Sequence, residues 1–474
     1  MTDTSMYDVA VVGGGLAGLT TGWRAAQLGC RVIVVEQGAD DLYACNSRYA
    51  GGWFHLAFQD PTGDVDALVN TLLGMAPDDI NHPLIESIAR NAGRTLAWLS
   101  EHGRARFIRG GPLNWHKNLL APPRPPRSRL VWPGRGPDLL IRQLGVGLSA
   151  AGGLLARGHC VERIGREGQS FVVGCRTAKG ETQVTARALV MADGGFAANL
   201  LQLEERISRQ AAKILQRNAG AAQGTGVTLA PKLGAALTET KSFYGHLHSL
   251  DAIIDSGLWP YPTIDYLALA GIVVNKAGDR FIDDGRDGVF VTNALAAVEN
   301  PQDAFAVFDS AIWESEGREV RAPCNPLLKQ LGGTMFTAPT LTELAGQAGI
   351  DRDRFVRTIT VYNGAVRSGN METLPVPKSP AKKRAREISR APFFAIPICP
   401  GITHTMGGIA INPQGAVECV GGGVIPGLFA AGSTVGGAEG GRDSFYLGGL
   451  CKAATLGLMC GESAAQFVTT GLYQ

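Results

Sequence analysis

Asp8-Val9-Ala10-Val11-Val12-Gly13-Gly14-Gly15-Leu16-Ala17-Gly18 opens a pattern that closes at Glu36. An apolar run of this kind, stopped by glycines, predicts a buried parallel strand. Gly13-x-Gly15-x-x-Gly18 then turns the chain into a helix ending near Leu28-Gly29. A second apolar run, 31–35, stops on Glu36. Each part has a physical task. Gly13 allows the tight turn, Gly15 lets the backbone approach a pyrophosphate, and Gly18 lets helix and strand pack closely. The helix N-terminus offers unpaired N–H groups and the positive end of its dipole to the phosphates. Glu36 can accept hydrogen bonds from a ribose diol. Strand, glycines, helix, strand and acid in this order predict a dinucleotide site, and alone they leave NAD and FAD equally open.

Composition narrows the rest. A chain of 474 residues, 45% hydrophobic and 18% charged, suits a globular enzyme of two or more domains. Its net charge of +2 gives no electrostatic reason to expect nucleic acid or an anionic membrane as partner. The opening Met1-Thr2-Asp3-Thr4-Ser5 has no basic segment followed by an apolar core, and no uncharged apolar run reaches the ~18 residues of a spanning helix. The nine cysteines form no Cys-x-x-Cys pair, so no zinc, iron–sulfur or haem-attachment signature is present. A cytoplasmic protein with reduced thiols and no integral membrane segment is expected.

Further along, Cys45-Asn46-Ser47-Arg48-Tyr49-Ala50-Gly51-Gly52 is a polar, glycine-ended loop able to follow a cofactor. Residues 64–103 carry a helical period through Ile85, Ile88, Ala92, Leu96 and Leu99. Pro122-Pro123-Arg124-Pro125-Pro126-Arg127 reads as a stiff extended connection; a solvated loop is the favoured reading, and arginines that meet an anionic substrate are the alternative. Short apolar runs between 158 and 185 predict an antiparallel meander inserted before the buried strand 188–192, which runs into Asp193-Gly194-Gly195-Phe196. Gly427-Leu428-Phe429-Ala430-Ala431-Gly432 is a third such element, so both ends of the chain build the nucleotide domain. Between them the composition changes, with Phe243-Tyr244-Gly245-His246-Leu247-His248 and the strand 271–275 in a block with its own core. The proline-rich, basic stretch 375–390, with Lys378, Lys382, Lys383, Arg384 and Arg386, reads as a charged linker back.

These pieces together resemble the fumarate reductase/succinate dehydrogenase flavoprotein family. The resemblance rests on the glycine turn with Glu36, the Asn46-Ser47 to Gly51-Gly52 loop and Met191-Ala192-Asp193-Gly194-Gly195-Phe196. It rests also on Gly224-Thr225-Gly226, the strand 271–275 with Arg280-Phe281, His404-Thr405-Met406-Gly407-Gly408, and Pro426 to Gly432. It implies an α/β fold: a two-part Rossmann-like FAD-binding domain, 1–238 and 389–474, with an inserted α+β capping domain, 239–388. It implies that FAD is held by Gly13, Gly15, Leu16, Ala17, Gly18, Glu36, Gln37, Asn46, Ser47, Arg48, Gly51, Gly52, Asp193, Gly194, Gly432, Gly448, Gly449 and Leu450. A helix predicted over 450–468 would aim its N-terminus at the flavin. The Ser47-Arg48-Tyr49-Ala50 loop lacks the histidine of covalent members, so non-covalent FAD is expected.

Family chemistry adds or removes a hydride and a proton across a carbon–carbon bond beside an activating oxygen. By resemblance His404 binds substrate, Arg286 of Arg286-Asp287 is the proton-transferring arginine, and His246 or His248 faces the flavin. Two departures set the chain nearer tricarballylate and 3-ketosteroid dehydrogenases than true fumarate reductases. Tyr446 stands where those reductases clamp a carboxylate with arginine, and Leu267-Ala268-Leu269-Ala270 replaces their relay glutamate. Tyr446 is expected to donate to a ketone or to abstract an α-proton, with Arg442 upstream either assisting it or itself holding a substrate carboxylate. The expected activity is desaturation, introducing a C=C bond α,β to the ketone or carboxylate of a small cyclic or branched oxo-compound. The alternatives are reduction of an unsaturated carboxylic acid, or a flavoprotein subunit feeding a redox partner. The electron acceptor would be oxygen, a quinone or that partner protein.

Overall fold

The structure is a computed structural model that describes residues 6–125, 130–238, 241–319, 322–380 and 385–471. Two sheets organise it. In the first, the strand Tyr7–Val12 lies between Val32–Glu36 and Gly180–Met191, parallel to both. Val424–Ala430 adds on one side and Leu154–Arg157 on the other, again in parallel. Val9 to Val12 and Val32 to Glu36 are buried along their length, as an apolar run covered on both faces must be.

The meander and the buried strand expected after it are one element. Gly180–Met191 pairs antiparallel with Ser170–Thr177 over its first half and parallel with Tyr7–Val12 over its second. The sequence alternates in exposure as far as Arg187 and is continuously buried from Ala188 to Met191, so the change of period marks a change of neighbour within one strand. Helix Leu16–Gln27 covers one face of the sheet and is crossed by helix Leu450–Thr470. The two approach closely because Gly457 and Gly461 face backbone: a Cβ on Gly457 would lie 2.5 Å from the Ala17 carbonyl oxygen. Thr21 Oγ1 also donates to the Gly457 carbonyl at 2.9 Å. The helical period over 64–103 is two helices, Val65–Met75 and His82–Glu101, capped by Asp64 and Asn81.

The second sheet orders Phe243–Ser249, Phe393–Thr405, Ala304–Asp309 and Ile272–Asn275, all antiparallel. Its long central strand, Phe393–Thr405, begins after residue 389, where the sequence suggests a return to the nucleotide unit. It runs from the second core into the first unit, where Thr405 Oγ1 accepts from Phe196 N at 3.3 Å. This strand carries His404 to the junction of the two units.

Lys378 is not a solvated linker residue. It is buried with Arg280 around Asp284, at 3.0 Å and 2.6 Å respectively. Arg386 pairs with Glu316 at 2.8 Å. Lys382, Lys383 and Arg384 lie outside the described residues, as do Pro126 and Arg127. Among the described residues no helix is long and apolar enough to cross a membrane, and no cluster of potential metal ligands occurs.

Candidate active site

A groove crosses the ends of the parallel strands, floored by Gly13, Gly15, Leu16 and Ala17 and walled by Glu36, Gln37, Asn46, Ser47, Asp193, Gly194 and Gly432. Gly13 has φ +103°, and a Cβ there would meet the Ala192 carbonyl oxygen at 2.5 Å. Gly18 lies behind the groove, where its missing side chain admits the Gly13 carbonyl oxygen, 1.9 Å from an ideal Cβ. Above Gly15 the nearest atom to a Cβ is Ser47 Oγ at 3.7 Å, so that face of the turn is open for close approach. Ser47 Oγ accepts from Leu16 N at 3.2 Å, holding the loop against the helix start. Glu36 is engaged by the chain itself: its carboxylate accepts from Gly14 N at 2.7 Å and Gly38 N at 2.8 Å, and burial pushes its pKa up. Beneath the groove, burial pushes the Asp193 carboxyl up to about 6, while Gly226 N donates to it at 2.8 Å. A long slot with a glycine floor at a helix N-terminus fits a dinucleotide such as FAD.

Arg48 does not line this groove. Its guanidinium stacks over Tyr43 and pairs with the fully buried Asp138 at 3.1 Å, which ties the loop to the helix Gly136–Ala150. Asn46 spans the two units instead, donating to Thr403 O at 3.1 Å and accepting from Ala219 N at 2.9 Å.

Towards the second sheet the groove widens into a cavity lined by Gly51, Gly52, Trp53, His55, Arg124, Arg217, Tyr244, Trp259, Tyr261, His404, Tyr446, Gly449 and Leu450. Tyr446 and Tyr244 stack here, ring centroids 3.8 Å apart and planes 16° from parallel. Tyr446 Oη accepts from Gly449 N at 2.9 Å. Burial, reinforced by Tyr244 and Glu439, holds the Tyr446 phenol well above its usual pKa. His404 stands opposite Tyr244 in the strand pairing, with Nε2 3.7 Å from Glu439 Oε2. Glu439 is fully buried, ion-paired with Lys452, and accepts from Leu447 N at 3.0 Å and Gly448 N at 2.9 Å. Burial opposes its charge, but Lys452 and His404 bring its carboxyl down to about 2. The turn bearing Gly448 and Gly449 is thus bolted to a buried ion pair.

The other expected residues stand apart. Arg286 pairs with Asp443 at 2.6 Å and covers the Phe290 ring. Arg442 is 70% exposed, beside Asp443, and borders a separate cavity with Asp79 and Asn81. His248 is fully buried, and burial followed by Arg217 and His246 lowers its pKa well below the usual imidazole range. His246 stands behind Tyr244 and accepts from or donates to its hydroxyl at 2.9 Å.

Sequence reasoning missed Tyr244, Arg217 and the buried state of Arg124. Arg217 donates to Thr403 Oγ1 at 2.7 Å, and Arg124 to Tyr49 O at 3.2 Å. Their guanidinium groups lie 5.9 Å and 5.3 Å from the Tyr261 ring. Burial, and the nearby Arg217, press the Arg124 pKa down. Among the described residues neither arginine has a carboxylate partner. Proline runs usually lie in solvent, and nothing local in the sequence marks this one as folded inward.

The FAD binding domain family matches residues 8–444. The chain belongs to this family. It is similar to a fumarate reductase (cytochrome) of Shewanella frigidimarina, 25% identical over 488 residues that cover 97% of this chain and 77% of the relative. An NADH:fumarate oxidoreductase of Klebsiella pneumoniae is 28% identical over 483 residues, covering 97% of this chain but 48% of its own length, so the chain spans about half of that relative. In fold it matches a 3-ketosteroid-Δ4-(5α)-dehydrogenase from Rhodococcus jostii, with TM-score 0.72, 20% identity and 98% coverage of both chains. The protein is therefore an FAD-dependent oxidoreductase acting on CH–CH groups.

Proposed function

We propose that the enzyme dehydrogenates a small, ring-bearing oxo-acid, forming a double bond next to the carbonyl. The observation that carries this reading is the pair Arg124 and Arg217 on the wall of a cavity that Trp53, Tyr244, Trp259, Tyr261 and Tyr446 also line. Arg124 is buried and Arg217 partly so, and a guanidinium drawn out of water without a carboxylate partner favours an anion, which Arg holds in bidentate geometry. Trp53, Trp259 and Tyr261 offer flat faces to a ring. FAD, when bound, supplies the two-electron hydride acceptor. The chain's own residues do the rest. Arg124 and Arg217 hold the carboxylate, and Tyr446 donates its O–H to the carbonyl oxygen as enolate charge develops. The Gly449 N–H already bonded to Tyr446 Oη polarises that donor, and the raised pKa keeps the phenol protonated. His404, backed by Glu439, supports the same oxygen. In this reading the second sheet and its helices act as the capping unit over the flavin, with 1–238 and 389–474 as the FAD-binding side. The strand Phe393–Thr405 joins the two units. Electrons then pass to oxygen, a quinone or a partner protein.

The test is an anaerobic screen of flavin bleaching near 450 nm with cyclic oxo-acids and their neutral methyl esters. Oxo-acids are expected to bleach the flavin and the esters to fail. Esters that bleach equally well would refute the anionic reading. Replacing Tyr446 by Phe removes one oxyanion donor, so flavin reduction should slow by about 100-fold or more with little change in substrate Kd. Stopped-flow absorbance measures both.

The same arginine pair favours a second reading, reduction of an unsaturated carboxylic acid, the direction for which the fumarate reductase relatives are named. It predicts that an unsaturated acid re-oxidises dye-reduced enzyme within the turnover time.

A further inference from the structure

Tyr244 is a cavity residue to which none of the family motifs assigns a role. It is one of two stacked phenols on the cavity wall, and the two differ in what stands behind them. Tyr446 Oη is engaged by a backbone N–H donor. Tyr244 Oη instead lies 2.9 Å from His246 Nε2, and His246 Nδ1 lies 3.1 Å from Asp265 Oδ2. Asp265 Oδ1 also accepts from Leu247 N at 3.2 Å, which fixes the carboxylate behind the ring. With Asp265 ionised and His246 neutral, Nδ1–H donates to Asp265 and Nε2 accepts from the phenol, and this is the state the proposal uses. Tyr244 and His246 are two apart on one strand and so share a face, while Asp265 enters from the helix Asp265–Ala270.

We propose that Tyr244 is the residue that takes the substrate's α-proton, and that His246 and Asp265 relay it out of the cavity. The proposal rests on the dehydrogenase reading above. In the step, the α C–H bond breaks and its electron pair becomes the second bond of the alkene. The β-hydrogen departs as hydride to the two-electron oxidant that the enzyme's FAD supplies. The α-proton bonds to Tyr244 Oη while that oxygen's own proton passes to His246 Nε2. The resulting imidazolium faces the Asp265 carboxylate and releases one proton to water at its partly exposed edge, the side chain being 23% accessible. Per turnover the substrate loses one hydride, which carries both electrons, and one proton.

The relay answers a specific difficulty. Burial pushes the Tyr244 phenol up to about 12, so a free phenolate would be present in only about 1 part in 100,000 at neutral pH. A base hydrogen-bonded to the phenol lets the transfer proceed without populating that state, as the Ser-His-Asp arrangement does for a hydroxyl. Burial opposes charge on Asp265, but His246 beside it holds the carboxyl below its usual pKa and so ionised. The other titratable or charged groups facing this pair are Tyr446, His404, Arg217, Tyr261 and His248. Of these His248 is kept neutral by burial. Arg286, the arginine expected to move the proton, is instead held by Asp443.

Two measurements test the relay, one of which needs no substrate. Proton NMR of the oxidised holoenzyme should show a far-downfield His246 Nδ1 resonance that is lost in Asp265→Asn and moves in Tyr244→Phe. Its absence from wild type would overturn the relay whatever the substrate. In stopped-flow with 4-oxocyclohexanecarboxylate as probe, Tyr244→Phe should reduce its flavin about 100-fold or more slowly at unchanged probe Kd, and His246→Gln at least about 10-fold more slowly. The acid limb of the rate profile should move to lower pH in Asp265→Asn, because the imidazolium then lacks its carboxylate. Reduction of Tyr244→Phe or His246→Gln at the wild-type rate would eliminate the proposal. A probe that bleaches neither wild type nor variants, with the downfield resonance behaving as expected, counts against the substrate reading and leaves the relay supported.

Discussion

Lys452→Met is expected to destabilise the protein by about 3–5 kcal/mol, because it strands the buried Glu439 carboxylate without its cation. The cost should fall at the lower end of that range. Leu447 N and Gly448 N still donate to Glu439, and the methionine fills the ammonium's stem volume. Urea unfolding of holoenzyme and variant measures the difference. The effect depends on pH with a definite sign. The folded Glu439 carboxyl sits at about 2, below its ordinary 4.5. Its contribution is therefore complete above about 4.5 and is lost as pH falls towards 2. The gap between wild type and Lys452→Met should narrow over that window. A gap that stays constant from neutral pH to pH 3 would show that the pair is not what the substitution removes. The same variant should also slow catalysis, since Glu439 holds the Gly448-Gly449 turn whose N–H bonds Tyr446.

Gly13→Ala is expected to yield protein that purifies nearly colourless. Its Cβ would overlap the Ala192 carbonyl oxygen at 2.5 Å and the Asp193 Cα at 2.7 Å, in a residue at φ +103°. Overpacking costs about 1–3 kcal/mol and a non-glycine residue in that backbone region costs about as much again, so FAD affinity should fall by about 100-fold or more. The ratio of absorbance at 280 and 450 nm reads this directly. Gly29→Ala is the control: φ is +89° there too, but nothing lies within 4 Å of the added carbon. It bears the backbone strain without the collision and should remain yellow. If both variants lose flavin equally, strain and not close approach governs the site.

These two sites differ in how readily a sequence reader finds them. Gly13 is legible because its requirement is local: a turn between a buried strand and a helix needs a left-handed residue at one fixed position. The same holds for the strand 7–12 and for the terminal helix, expected over 450–468 and observed over Leu450–Thr470. Glu439 and Lys452 were not legible. They stand on two segments separated by a turn, and only burial makes either charge unusual. Arg124 was hidden by its surroundings, because a proline-rich run looks solvated unless the rest of the chain encloses it. Arg48 and Lys378 show the converse, residues with apt chemistry and position whose side chains are taken by Asp138 and Asp284.

By itself, then, the sequence determined the nucleotide fold, because glycine turns, buried strands and their order are set by short-range sterics and burial, and its resemblance to a flavoprotein family gave FAD and the kind of bond acted upon. Only the tertiary structure decided which side chains meet in the cavity. The stacking of Tyr244 on Tyr446 and the meeting of Arg124 and Arg217 in one cavity join segments far apart in the chain, and the line from Tyr244 through His246 to Asp265 links a strand to the helix that follows it. Their contact depends on how the long strand Phe393–Thr405 seats one sheet over the other. No local periodicity encodes that seating, since it follows from the packing of two cores against each other.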